Sequence, residues 1–222
     1  MADPDRRAAA LGMALFGGAL AMGACGNRSA PGQAVQGGRV RADLYNCEGC
    51  EASEERAAGG LPSRLAIAGP AEPGERMVLS GRVLAAEDAT AVEGVVIYAH
   101  QTNAEGLYAD GGPETLWSRR HGRLRGWVRS DAEGRYAFDT IKPAPYPDMT
   151  LPAHIHLYIK EPGRRPYYID DVVFEGEFGV TAAYRARSEL RGGDGVVRLG
   201  RTAQGVWIAD RDIRLERHPV EP

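Results

Sequence analysis

From Met77 onward the chain is laid out as short strands. Eight runs, "MVLSGRVLAA", "EGVVIYAHQT", "RGWVRS", "GRYAFDTI", "AHIHLYIKE", "YYIDDVVFEG", "GVVRLG" and "GVWIADRDIRL", are rich in β-branched and aromatic residues. Most alternate apolar with polar positions, and Gly, Asp and Pro separate them. In "SDAEGRY" the turn formers Asp131 and Gly134 predict a hairpin. No stretch after residue 77 carries an apolar stripe of three helical turns. Such a chain buries its apolar side chains by stacking sheets, which predicts one all-β domain, a two-sheet β-sandwich over residues 76–217.

The segment before the strands reads differently. Arg6 and Arg7, then the apolar "AAALGMALFGGALAMGA" ending at Cys25, describe an export signal over residues 1–25. A cysteine directly after Met-Gly-Ala resembles a bacterial lipoprotein signal, in which Cys25 is acylated. The alternative is a plain signal peptide cut nearby. A membrane-spanning anchor is the weakest reading, since the run is short and Gly-rich. The expected location is therefore the periplasm or cell envelope, with a lipid on Cys25 as the only link to a membrane. Residues 26–75 predict a flexible, disordered tether with at most a helical turn at "EASEERAA". Within it, Cys47 and Cys50 form a CxxC; a disulfide is favoured in an oxidising compartment, with metal binding and redox chemistry left open. A net charge of -3 gives no footing for nucleic acid or an acidic membrane surface.

The stretch "YPDMTLPAHIHLYI" holds two of the chain's five histidines one residue apart. On a strand, alternate residues share a face, so His154 and His156 point the same way with Cβ atoms about 6–7 Å apart. That spacing suits either two ligands of one metal ion or two separately hydrogen-bonded imidazoles.

Several motifs agree in order with one family: Asn103-x-x-Gly-x-Tyr108, Arg125-Gly126, Asp131-x-x-Gly-x-Tyr-x-Phe-x-Thr140, Lys142-Pro-x-x-Tyr146-Pro147, Pro152-Ala-His-Ile-His156 and Phe174-Glu-Gly176. Together they resemble the intradiol ring-cleavage dioxygenases, the group of catechol and protocatechuate dioxygenases, over about 100 residues. The resemblance implies a β-sandwich of that type and a ferric ion, Fe(III), held by Tyr108, Tyr146, His154 and His156. It implies an enzyme that takes a small aromatic diol and dioxygen and opens the ring between the two hydroxylated carbons. Tyr146 then doubles as the base that receives a substrate proton.

The chain departs from the pattern at three places, one being that Tyr146 and His154 are only eight residues apart. Leu151 stands three residues before His154, where an arginine is usual, and Asp171 stands where a glutamine is usual. "LWSRRHGRLRGW" is the expected source of compensation: Arg119, Arg120, Arg123 or, above all, Arg125 supplying positive charge, and His121 hydrogen-bonding substrate. The helical dimerisation segment of the cytosolic members is absent from the pattern, which leaves a homo-oligomer open. Two other readings stand beside the dioxygenase: a non-catalytic sandwich that binds carbohydrate, peptide or cell envelope, and an extracytoplasmic copper or zinc protein using HxH and CxxC.

Overall fold

The computed structural model describes residues 40–111 and 114–220. The expected export signal, Cys25 and the tether up to residue 39 lie outside the described residues.

Two sheets carry the fold. The first runs β1 (Arg64–Ala66), β5 (Arg135–Ile141), β2 (Arg76–Leu84), β11 (Trp207–Asp210) and β10 (Leu199–Arg201), with β12 (Ile213–Arg214) against β2. The second runs β4 (Arg125–Arg129), β3 (Val96–Gln101), β6 (His154–Lys160), β8 (Val172–Phe174) and β9 (Val196–Val197), with β7 (Tyr167–Tyr168) against β6. The expected all-β sandwich is what forms. Three of the long runs split: Ile169, Asp170 and Asp171 separate β7 from β8, Arg198 separates β9 from β10, and Arg211 with Asp212 separates β11 from β12. Two helices of six residues each, α1 (Leu116–His121) and α2 (Ala182–Arg187), sit in the connections.

Alternation decides what each face buries. Ile155, Leu157 and Ile159 of β6, with Ile97 and Ala99 of β3 and Val128 of β4, pack onto Leu79, Phe138 and Ala209 of the first sheet. The residues between them, His154, His156 and Tyr158 on β6 and Val96, Tyr98 and His100 on β3, therefore turn outward. In a two-layer protein that outward face would meet water, yet every residue of β3 is buried.

The cover comes from the segment expected to be a tether. A 3-10 turn at Cys50–Glu54 lays Cys50 and Ala52 on Val96, Tyr98, Trp127 and Tyr158, and Trp127 Nε1 donates to the Ala52 carbonyl at 2.9 Å. Cys47 and Cys50 are joined in a disulfide, which closes the turn. Further along, β1 pairs in parallel with β5, and Leu44 is fully buried in the main core. The domain therefore includes residues 40–75 as well as 76–217. Composition concealed this because the segment contributes a lid of turns and backbone acceptors, with no periodic apolar pattern. Burying each large side chain under it stabilises by about 1.5–3 kcal/mol, so the cover is an integral layer.

Candidate metal centre

The two histidines of β6 are held by their Nδ1 atoms. His154 Nδ1 donates to the Pro152 carbonyl at 2.7 Å, and His156 Nδ1 donates to Asp171 Oδ1 at 2.8 Å. Both partners are pure acceptors, so in each neutral ring the proton sits on Nδ1 and Nε2 carries a lone pair. The two Nε2 atoms face each other 3.1 Å apart.

Tyr108 is brought to them by the Asn103 turn. Asn103 Oδ1 accepts from the backbone N–H groups of Glu105 and Leu107, and Gly106 N–H donates to the Asn103 carbonyl. Gly106 has φ +80°, and a Cβ there would lie 2.1 Å from the Pro145 carbonyl oxygen. Only glycine lets this turn press against the Pro145-Tyr146-Pro147 segment. That segment is tied back by the Thr102 hydroxyl, which donates to the Ala144 carbonyl at 2.7 Å. The two tyrosines are thus locked to each other before any ligand is considered.

The four side-chain tips form a closed ring. Tyr108 Oη lies 3.0 Å from Tyr146 Oη and 2.9 Å from His156 Nε2, and Tyr146 Oη lies 3.4 Å from His154 Nε2. Donor atoms roughly 2 Å from one ion stand roughly 2.8–3.4 Å apart, so all four edges suit a shared metal. The donor chemistry agrees, since phenolate oxygen and imidazole nitrogen suit a hard, highly charged cation. Burial pushes the Tyr108 phenol far above its usual range, and the hydrogen bond to Tyr146 adds to this. Burial and the neighbouring His156 lower the pKa of His154. Two lone pairs facing each other with no proton between them repel, and a cation relieves that repulsion.

Asp171 lies within 4.8 Å of both histidine donor positions, near enough to count as a third ligand by distance alone. Its oxygen is on the Nδ1 side of His156, away from the ring of donors. Its burial raises its pKa, but the pull of His156 and the hydrogen bond from it prevail, so the carboxyl is held below its ordinary value. It is a support for His156.

A cleft of about 670 Å³ opens beside His156, the one residue of the donor ring that lines it, and is walled further by Tyr158, Asp171, Leu151, Phe178 and Tyr184. Leu151 is 47% exposed and takes no part in charge stabilisation.

Neither Arg125 nor His121 lines this cleft. Arg125 is on β4, opposite His100, which is itself opposite His156. Its guanidinium donates to Glu55 at 2.5 Å and to Thr115 at 3.2 Å and lies over Trp127, so its charge is already balanced. Arg119, Arg120 and Arg123 pair with Glu114, Glu48 and Glu72. The expectation of free positive charge from this loop is corrected. Three of the four partner acids, Glu48, Glu55 and Glu72, come from the segment ahead of β2.

His121 is buried, and its Nδ1 lies 2.9 Å from the Tyr98 hydroxyl. It stacks on His100 with ring centroids 3.8 Å apart, and His100 stacks on His156 at 4.4 Å. His100 was missed in the sequence. It is 3% exposed, and neither ring nitrogen has a partner among the described residues. The signal available was its alternation with Tyr98 on β3; its place beside His156 follows only from the strand register.

A family model described as "Dioxygenase" matches residues 62–190. Catechol 1,2-dioxygenase 2 of Acinetobacter lwoffii is 29% identical over 147 residues, 54% of this chain and 51% of the relative, so the chain spans about half the length of that relative. The dioxygenase domain of a carbohydrate-binding fusion from Streptomyces sp. SirexAA-E superposes with TM-score 0.51 at 22% identity, over 71% of this chain and 90% of that one. Hydroxyquinol 1,2-dioxygenase from Pseudomonas putida DLL-E4 gives 0.52 at 21% identity, over 83% and 68%. The structural likenesses speak for the fold, and the family model covers more than half of the sequence. The chain belongs to the intradiol ring-cleavage dioxygenase family.

Proposed function

We propose that this protein is a non-haem Fe(III) dioxygenase that cleaves a catechol-type ring between its two hydroxylated carbons, and that it acts outside the cytoplasm. The observation that carries the reading is the closed ring of Tyr108, Tyr146, His154 and His156, with both imidazoles committed through Nδ1 so that Nε2 faces the phenols. Ferric iron in that ring would supply a Lewis acid and a template for the two hydroxyl oxygens of a diol. The chain's own part is orientation and proton handling. Asp171 and the Pro152 carbonyl hold the imidazoles in one tautomer. Tyr146, half-exposed at the edge of the ring, is placed to receive a proton from a substrate hydroxyl. Tyr158, Phe178 and Leu151 offer an apolar wall to the arene.

Export is supported by the signal-like segment ending at Cys25 and by the Cys47–Cys50 disulfide, a bond that persists in oxidising compartments. With both sulfurs so occupied, the CxxC offers no metal ligand.

Loading the purified protein with iron tests the proposal. A red-brown tyrosinate-to-iron absorption that changes on adding catechol, and one dioxygen consumed per ring opened, are the expected results. A protein that stays colourless and takes up zinc or copper in its place would end the reading.

A further inference from the structure

The donor ring rests on a column of stacked imidazoles. His156 stacks on His100 with ring centroids 4.4 Å apart, and His100 stacks on His121 at 3.8 Å with the two planes 3° from parallel. His100 also packs beside the Tyr108 ring at 5.6 Å, so it adjoins two of the four donor residues. Neither His100 nitrogen has a hydrogen-bond partner among the described residues, and the ring is 3% exposed. Its orientation is therefore set by the rings packed on it, and a shift of His121 passes to His156 by contact.

The far end of the column is closed by the disulfide loop. Between Cys47 and Cys50 stand only Glu48 and Gly49, and Gly49 is buried. A Cβ on Gly49 would lie 3.3 Å from His121 Cε1, 3.4 Å from His121 Nε2 and 3.1 Å from Tyr158 Oη. Gly49 has φ +89° and sits at the head of the Cys50–Glu54 turn. His121 is fixed in addition by the contact of its Nδ1 with the Tyr98 hydroxyl at 2.9 Å. The order from solvent inward is disulfide, Gly49, His121, His100, His156. The bond itself can be reached, since Cys47 is half-exposed and both cysteines line a cavity of about 570 Å³. Lys160 and Glu54 pair with each other at its wall, so Arg164 and Arg165 outweigh Glu51 and favour the approach of a thiolate.

We propose, building on the reading of the ring as a metal centre, that the Cys47–Cys50 loop braces His156 through His121 and His100, and that reduction of the disulfide by a dithiol loosens the site's hold on metal. The exchange moves two electrons. A thiolate of the dithiol attacks Cys47 Sγ, and Cys50 leaves as a thiolate. The second sulfur of the dithiol, as its thiolate, then displaces Cys47. The dithiol ends as a disulfide, and its two protons end on Cys47 and Cys50. Gly49 is then held by an open chain, and His121 loses its backing. His121 and His100 are positioning residues, since neither belongs to the donor ring.

The test measures affinity for gallium(III), a trivalent ion that thiols do not reduce, by competition against a chelator below the thermal midpoint of every protein compared. Reduction with dithiothreitol, which is then removed under nitrogen, is expected to weaken gallium binding by about tenfold. The Cys47→Ser, Cys50→Ser double variant, which offers the metal no thiol, shows the same loss and no response to the reductant. With the disulfide intact, His121→Ala loses a similar factor, and reduction then adds less than about twofold because the column is already broken. His121→Phe keeps a flat ring against His100 and recovers most of the affinity. If the reduced protein and the double variant bind gallium as tightly as the parent, or if His121→Phe loses as much as His121→Ala, the loop does not brace the ring and the proposal falls. If reduction unfolds the domain, the two His121 variants decide alone. If the oxidised parent takes up no gallium, the ring is not a metal centre, and the proposal fails with that reading.

Discussion

His154 and His156 point their Nε2 atoms at each other across 3.1 Å, and each has spent its Nδ1 proton on a fixed acceptor. Neutral rings so held repel, and Tyr108 beside them is kept protonated by burial. Metal entry therefore has to expel at least the Tyr108 proton, so apparent affinity rises with pH. Calorimetric titration with a metal ion in buffers of different ionisation enthalpy should show protons released, and Tyr108→Phe should reduce their number by about one. No release in the parent would remove Tyr108 from the ligand set.

Asp171 supports His156 through a single hydrogen bond. Asp171→Ala should weaken metal binding by about 10- to 100-fold, with Asp171→Asn less affected because its carbonyl still accepts. Competition against a chelator reads this directly. Equal affinities for all three proteins would show that His156 needs no support.

Gly106 is where the Tyr108 turn presses on the Pro145 carbonyl, 2.1 Å from where a Cβ would stand. Gly106→Ala should cost about 1–3 kcal/mol in backbone strain alone, with the clash against the Pro145 carbonyl in addition. It should also separate the two tyrosines. A lower thermal midpoint together with lost metal stoichiometry is expected; unchanged stoichiometry would mean that the ring tolerates the displacement.

His121 has its pKa lowered to about 4 by burial, with electrostatic repulsion from the His156 and Arg125 side chains adding to this. Unfolded, it binds a proton near its ordinary 6.5. Between those values the unfolded chain holds more protons, so stability falls as pH drops through that window. The loss attributable to His121 is on the order of 2–3 kcal/mol, fully developed below about pH 4. His100, lowered further by burial and its histidine neighbours, acts in the same direction. Urea unfolding at pH 7 and pH 5 should show the decline, and His121→Phe should flatten it.

Arg125→Ala should behave as a packing variant. Removing the guanidinium strands Glu55 and uncovers Trp127, so the thermal midpoint drops. Affinity for catechol should stay within about twofold, because Arg125 does not line the cleft. A large affinity loss without destabilisation would restore Arg125 to the site.

The two-period alternation of β6 and its neighbours was enough to predict a sandwich and to put His154 and His156 on one face, because strand geometry ties side-chain direction to sequence position. The Asn103 and Tyr146 motifs were likewise readable, since a glycine at positive φ and two flanking prolines are local requirements. What the linear chain withheld depends on contacts between distant segments. His100 meets His156 only through the β3–β6 register. Arg125 loses its free charge only because Glu55 arrives from 70 residues away. The supposed tether becomes a third layer because alternation turns Tyr98, Trp127 and Tyr158 outward, and their apolar surface has to be covered. Local geometry is set by neighbours in sequence; charge balance and burial are set by whichever segment reaches the same place in space.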